Sequence, residues 1–197
     1  MLDSTRPIGK TLNTDTGRPK STSAGVLLQC HEAMQPRWHV LRATYARELK
    51  VQTALQEKGI RTFIPMMWRE KKLVPAVSGL VFALATREAL DLYIRSFGDA
   101  RPVNYYWDRT TNAPLTVPAK AMEDFITIAS TLDEDLIYLT EVSDKLREGQ
   151  EVTILEGPFK GVQGRIVRIK KNRRVMVELP GMMAVASTYV KPNYLKL

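Results

Sequence analysis

The stretch EGPFKGVQGRIV, residues 156–167, packs three glycines and a proline into one corner and then runs into a strand-like segment. Glycine is costly in backbone entropy, so the corner must need conformations that other residues reach poorly. One use of such a turn is to cradle a phosphate. The spacing of Gly157, Gly161 and Gly164 lacks the GxGxxG pattern, and a strand follows instead of the helix N-terminus that would hold an anion. The turn is therefore read as structural. Gly157-Pro158 opens it, Gly161 takes a positive φ, and Gly164 lets the next strand bend or approach another backbone. Phe159 lies between these glycines, either plugging the end of the fold or standing out as a contact beside Lys160.

No helical period surrounds this corner. QEVTIL (150–155), GRIVRI (164–169), RVMVEL (174–179), MMAVAS (182–187) and NYLKL (193–197) are short strand-like runs divided by turn signals. Five strands in so short a segment predict a small, SH3-like β-barrel. A core of that size is marginal, and closure removes its open edges. The basic run RIKKNRR, 168–174, falls at a hairpin tip, as a solvated turn or an RNA contact.

The first half reads differently. WHVLRA, 38–43, is a strand of aromatic and branched residues, and a helix over 46–58 carries Val51, Ala54 and Leu55 on one face before Gly59 ends it. IRTFIP, 60–65, is a strand closed by proline. In REKKLVPAVSGLVFALA, 69–85, a charged loop or hairpin precedes a buried strand at 80–85. Thr86 caps a second helix with Leu90, Tyr93, Ile94 and Phe97 at helical spacing, ended by Gly98. Residues 103–108 and 113–117 form a hairpin around Thr110-Thr111-Asn112, and Pro118 starts a third helix that repeats the spacing with Met122, Phe125, Ile126 and Ala129. The order β-α-β-β-α-β(β)-α is the split βαβ pattern of a ferredoxin-like sandwich, an antiparallel sheet with helices on one face. The predicted fold class is α+β, a ferredoxin-like half followed by the small barrel.

Charge divides the chain in the same way. The net charge is +8, and the residues between 130 and 145 hold five acids and one lysine between two basic halves. The expected organisation is a flexible extension over 1–35, a first domain over 36–130, an acidic linker over 131–146 and a second domain over 147–197. A basic balance suits an anionic partner or simple solubility. Cys30 is the only cysteine, which fits a reducing cytosol, and no apolar run is long enough to span a membrane.

Catalytic chemistry is not legible. The two histidines, His31 and His39, lie near no ligand cluster, and GxSxG, HExxH and P-loop lysine motifs are absent. His39 alternates with its neighbours as a strand-surface residue, and Asp133-Glu134-Asp135 are solvated connector acids. The expectation is a non-enzyme with no cofactor and no metal.

Residues 148–179 resemble a KOW motif, with matches at Gly149, Val152, Ile154, Gly157, Pro158, Phe159, Gly161, Gly164 and Val167. KOW segments occur in ribosomal proteins and in the NusG/Spt5 transcription elongation factors. WHVLRATYARELKVQTALQEKGIRTFIPM, 38–66, resembles the start of a NusG N-terminal (NGN) domain, and SGLVFALA, 78–85, resembles its Gly-Tyr-Val-Phe-Val strand. The ending YVKPNYLKL and the linker segment LDEDLIYLTEV are most similar to the specialised UpxY-type NusG paralogues, antiterminators of capsular polysaccharide operons in Bacteroides-like bacteria. Two departures stand out: Ala76-Val77-Ser78-Gly79-Leu80 replaces the usual Phe-Pro-Gly-Tyr, and the Thr-rich DNA-contacting tract of the RfaH paralogue is missing from 90–96.

The resemblance implies a cytoplasmic bacterial factor, a monomer with no membrane association. Its first domain docks an apolar patch on the clamp helices of the RNA polymerase largest subunit and suppresses pausing or termination. The implied patch is Tyr45, Phe63, Ile64, Pro65, Met66, Trp68, Leu80 and Phe82, exposed beside the sheet. Non-template or upstream DNA would meet Arg42, Arg47, Arg69, Lys71, Lys72, Arg87 or Arg95 through phosphates. The KOW domain would recruit a small-subunit ribosomal protein or Rho. Its Val- and Ile-rich strands imply a permanent β-barrel. The competing readings are a general RNA-binding or ribosome-associated KOW protein, an RRM lacking two of its three stacking aromatics, and an enzyme with a barrel appendage.

Overall fold

In the computed structural model, which describes residues 35–97, 102–108, 110–169 and 171–196, the split βαβ order builds an antiparallel sheet. The expected extension over 1–35, with Cys30 and His31, lies outside the described residues save for Gln35, and so does Gly98. The elements are β1 (Arg37–Ala43), α1 (Glu48–Gln56), β2 (Arg61–Phe63), β3 (Met66–Arg69), β4 (Lys72–Pro75), β5 (Leu80–Ala85) and α2 (Arg87–Arg95). There follow β6 (Val103–Tyr105), β7 (Trp107–Asp108), β8 (Ala113–Pro114), β9 (Thr116–Val117) and α3 (Ala119–Ala129). The sheet order is β2-β5-β1-β6, with β9 also on β1. The hairpins β3–β4 and β7–β8 stand off it.

Alternation along β1 and β5 gives the sheet two apolar faces. Leu41, Ala43, Val81 and Ala83 pack against Val51 and Leu55 of α1 and Leu90, Tyr93 and Ile94 of α2. Val40, Leu80 and Phe82 look the other way and meet Met122 and Phe125 of α3. The helices therefore cover both faces, not the one expected. The reason is the apolar character of the second face, which would otherwise lie in water.

Local chemistry sets the helix ends. Thr86 Oγ1 accepts from the Ala89 N–H at 3.3 Å, capping α2. Helix α1 starts at Glu48, later than the apolar spacing implies, because Tyr45 and Ala46 hold φ of 57° and 50°. His39 is not a surface residue. It is 5% exposed, on the face that α2 covers, and its ring lies 5.8 Å from that of Tyr105. Its Nδ1 has no partner among the described residues, and burial with the charges of Arg87 and Arg37 holds its pKa below 6.5.

The second half contains β10 (Ile137–Leu139), α4 (Asp144–Arg147), β11 (Glu151–Ile154), β12 (Gln163–Ile169), β13 (Asn172–Leu179), β14 (Met183–Tyr189) and β15 (Leu195–Lys196). All pairs are antiparallel, in the order β10-β14-β13-β12-β11-β15. The sequence foresees five strands. The sixth, β10, comes from the acidic connector and pairs Tyr138 opposite Val185. The glycine corner joins β11 to β12, with φ of 85° at Gly157 and 87° at Gly161. Gly161 N–H donates to Ile154 O at 2.7 Å, and Phe159 is buried at 5% exposure. At Gly164 a Cβ would stand 2.5 Å from Met176 O and 2.8 Å from Val175 Cγ1.

Two outcomes are expected. Gly161→Ala has open space and meets only backbone strain, costing about 1 kcal/mol, whereas Gly164→Ala collides with backbone and costs about 2–3 kcal/mol. Urea unfolding midpoints in the reverse order would refute the close-approach account. For His39, the unfolded chain gains a proton below pH 6.5 while the native chain resists it. Stability is therefore full above that value and falls on acidification toward the lower native pKa. His39→Gln should flatten the stability–pH slope in this window.

Candidate functional site

Of the apolar residues expected beside the sheet, Tyr45 is 86% exposed and Trp68 41%. Phe63 and Met66 are half-buried. Ile64, Pro65, Leu80 and Phe82 are buried, which corrects the expectation that they are exposed. For Leu80 and Phe82 the physical reason is α3, whereas Ile64 packs with Val51 and Leu55 of α1 on the other face of the sheet. Phe125 contacts Phe82 at a ring separation of 6.2 Å and Phe63 edge-on at 6.3 Å. Glu123 clamps Arg61 of β2 at 2.7 and 3.0 Å, and that guanidinium lies 5.2 Å over the Trp38 ring.

All seven expected DNA-facing cations are exposed, but they do not form one cluster. Arg69, Lys71 and Lys72 gather at the tip of the β3–β4 hairpin. Its two turn residues, Glu70 and Lys71, hold φ of 49° and 62°, a primed hairpin turn built without glycine. Arg42 lies on β1, and Arg47 stacks 5.6 Å over the exposed Tyr45 ring. Arg87 and Arg95 lie on α2, where Arg87 pairs with Asp91 at 3.8 Å.

The KOW-motif residues keep to turns and core. Val152, Ile154, Phe159 and Val167 are buried, while Gly157, Pro158 and Gly161 form the exposed corner. Gly149 stands where a Cβ would come within 2.2 Å of Ile166 O, so the chain can pass there only without a side chain.

The described residues belong to one packed unit, and α3 is its middle layer. One side of α3 rests on β1 and another on β13 and β14. Asp124, though charged, is buried here. Its Oδ1 accepts from Lys120 Nζ at 2.5 Å and its Oδ2 from the Gln163 N–H at 3.3 Å. Lys120 Nζ also donates to Gly161 O at 3.1 Å. This clasp takes hold of the far end of the glycine corner. A second attachment joins the β3–β4 hairpin to the connector. Trp68 Nε1 donates to Leu132 O at 2.9 Å, and the Tyr138 hydroxyl donates to Met66 O at 3.1 Å. Burial pushes the Tyr138 pKa up to about 12, so it remains a donor at neutral pH.

Asp124, Lys120 and Tyr138 are absent from the sequence-derived site. The available signal was a charged residue next to the apolar stripe of a helix, which reads equally well as a solvated flank. A groove of about 920 Å³ opens beside the clasp, lined by Lys120, Asp124, Glu151, Gln163, Arg165 and Glu178 among others. Two ion pairs line it, Arg165 on Glu151 at 2.5 Å and Arg147 on Glu178 at 2.9 Å. Such a groove offers ion pairs and apolar wall, not a nucleophile beside a base. Among the described residues no group of three or more His, Cys, Asp or Glu could hold a metal ion. No described helix is long and apolar enough to cross a membrane.

The KOW motif is matched by residues 148–178, the segment from the approach to β11 through β13. No curated protein matches the chain. A solved structure described as "Domain interaction in Thermotoga maritima NusG" is similar at a TM-score of 0.44 and 19% identity, covering 83% of this chain and 98% of that one. By its own strand order the molecule is an α+β protein, a ferredoxin-like sheet followed by a small barrel, and the barrel carries the KOW motif.

Asp124→Ala leaves the Gln163 N–H without its acceptor and Lys120 without its partner. The expected cost is about 1–3 kcal/mol. Amide exchange at Gln163 should accelerate while amides in α1, such as Leu55, keep their protection. An unchanged rate at Gln163 would show that the clasp does not hold the corner.

Proposed function

We propose that the chain is a NusG-type transcription elongation factor. In this reading residues 36–130 form the polymerase-binding domain, 131–146 the connector and 147–197 the KOW domain. The first domain binds the clamp helices of RNA polymerase and suppresses pausing or termination, and the KOW domain recruits a ribosomal protein or Rho. One observation carries the reading: a split βαβ sheet ordered β2-β5-β1-β6 stands in one chain with a KOW motif at 148–178. A KOW motif alone would equally suit a ribosomal protein.

Burial narrows the contact set. Tyr45 and Trp68 offer accessible rings, with half-buried Met66 beside Trp68. Leu80, Phe82, Ile64 and Pro65 are buried and fall outside this contact set. The cations of the β3–β4 tip, Arg69, Lys71 and Lys72, are assigned to DNA phosphates. The finer reading is a specialised, UpxY-type factor serving one long operon, such as one for capsular polysaccharide. It is supported by the similarity of the connector and C-terminal segments and by the divergent run from Ala76 to Leu80.

Purified RNA polymerase and a paused-template assay test this. The full chain should bind polymerase and shorten pauses. Tyr45→Ala and Trp68→Ala should each weaken binding about tenfold with little change in unfolding midpoint. Phe82→Ala should instead cost about 3–5 kcal/mol of stability. Absence of polymerase binding would sink the reading. Deletion of the gene should remove distal transcripts from one operon, and a genome-wide loss would overturn the specialised assignment alone.

A further inference from the structure

Most of the contact set that burial leaves accessible stands on one element. Met66, Trp68, Arg69, Lys71 and Lys72 all belong to the β3–β4 hairpin, which lies off the main sheet. A two-stranded hairpin is marginal on its own, so other groups must fix its direction. Its base is closed by the Ala76 N–H donating to Pro65 O at 2.8 Å, and Met66 packs against the α1 and α2 core. Among the described residues, two hydrogen bonds reach the strands of the hairpin from outside it. Trp68 Nε1 donates to Leu132 O at 2.9 Å, and the Tyr138 hydroxyl donates to Met66 O at 3.1 Å. Both come from the connector.

Strand alternation sorts the side chains of the hairpin. Trp68 pairs with Leu73 and Met66 with Pro75, so these four share one face. Arg69 pairs with Lys72, and both lie with Met67 and Val74 on the other face. The indole bond places the connector on the Trp68 face. Arg69 and Lys72 are therefore turned away from it, and both are exposed.

The connector is itself anchored. Arg174 donates to Asp135 O at 2.7 Å, and β10 sets Tyr138 opposite Val185 of β14. Ile137, Leu139, Val142 and Leu146 pack on Val167, Met176, Ala184 and Ala186, a second apolar face of the barrel. Tyr138 points the other way, its ring 6.3 Å from that of Phe125. One residue thus meets the barrel edge with its backbone, α3 with its ring and the hairpin with its hydroxyl.

We propose that Tyr138 is a positioning residue for the candidate contact surface. With the Leu132 carbonyl it aims the β3–β4 hairpin, so the connector is part of the site and not a passive tether. A partner on the Trp68 ring and phosphates on Arg69 and Lys72 then meet the hairpin from opposite faces. The consequence for polymerase binding rests on the proposed function, whereas the aiming of the hairpin does not.

The test is backbone 15N relaxation on the full chain, with no polymerase present. Tyr138→Phe keeps the ring against Phe125 and removes only the hydroxyl. In the native chain the order parameters of residues 68–73 should lie near those of rigid backbone, about 0.85. They should fall in Tyr138→Phe, and drop below about 0.6 when Trp68→Phe removes the second bond as well. Amides of α1 and of β12 to β14 should keep their values in both variants. A merely structural role would lower stability without selectively loosening the hairpin on this timescale. Unchanged order in the double variant, or a hairpin already loose in the native chain, overturns the positioning role. Loosening spread equally over α1 and the barrel overturns it too. With purified polymerase, Tyr138→Phe should weaken binding about fivefold, because the partner must then order the hairpin itself. Equal affinity overturns the functional consequence. Failure of the native chain to bind polymerase sinks the proposed function and leaves the relaxation result to decide the role of Tyr138.

Discussion

The structure depends on Phe125 having three aromatic neighbours. Phe63 and Phe82 come from the sheet, and Tyr138, at 6.3 Å, comes from the connector strand. A ferredoxin-like sheet gains two crossover helices from its own topology, and both lie on one face. The other face here is equally apolar, so a third helix has to cover it. Helix α3 does this with Met122 and Phe125, and its remaining sides then need cover of their own. The barrel supplies that cover through β13 and β14. One apolar cluster therefore runs from Trp38 and Phe82 to Val177 and Val185.

Apolar contact alone would leave α3 free to slide on the barrel, since burial has no direction. The Lys120–Asp124 clasp adds direction. It addresses the backbone of Gly161 and Gln163, positions that the glycine corner fixes to the ends of β11 and β12. The corner thus has two tasks. Its positive φ values turn the chain, and the turned chain presents one carbonyl and one N–H to α3. No side chain at the corner makes these bonds, so the residues that matter there are the ones permitting the conformation.

The sequence made the element order legible because the apolar spacing of the helices and the turn residues of the barrel agree with the final fold. Thr86, Gly59 and the glycine corner fall at the boundaries their chemistry suggests. Three features escaped it. Strand β10 hides in an acidic segment whose apolar core, Leu136 to Leu139, is too short to stand out from a linker. The β3–β4 turn uses Glu70 and Lys71 at positive φ, where Gly or Asn is the usual signal. His39 and Asp124 are polar residues whose burial is decided by α2 and by the barrel, elements distant in sequence. Site residues were less legible than fold for the same reason. Leu80 and Phe82 lie on a strand with two apolar faces, and alternation cannot say which face stays open.

The partly open face is also not independent of the connector. Trp68 presents its ring to solvent while its indole N–H is held by Leu132 O, and Leu132 itself sits at φ 52°. A partner that leaves this bond intact meets a ring already fixed in orientation and pays little entropy for it. A partner that takes the N–H must replace the bond and release a connector residue from a conformation that non-glycine residues reach with difficulty. The two modes differ in what they do to β10, which begins a few residues beyond Leu132 and forms the edge of the barrel against β14. Only a partner acting in the second mode would reach that edge.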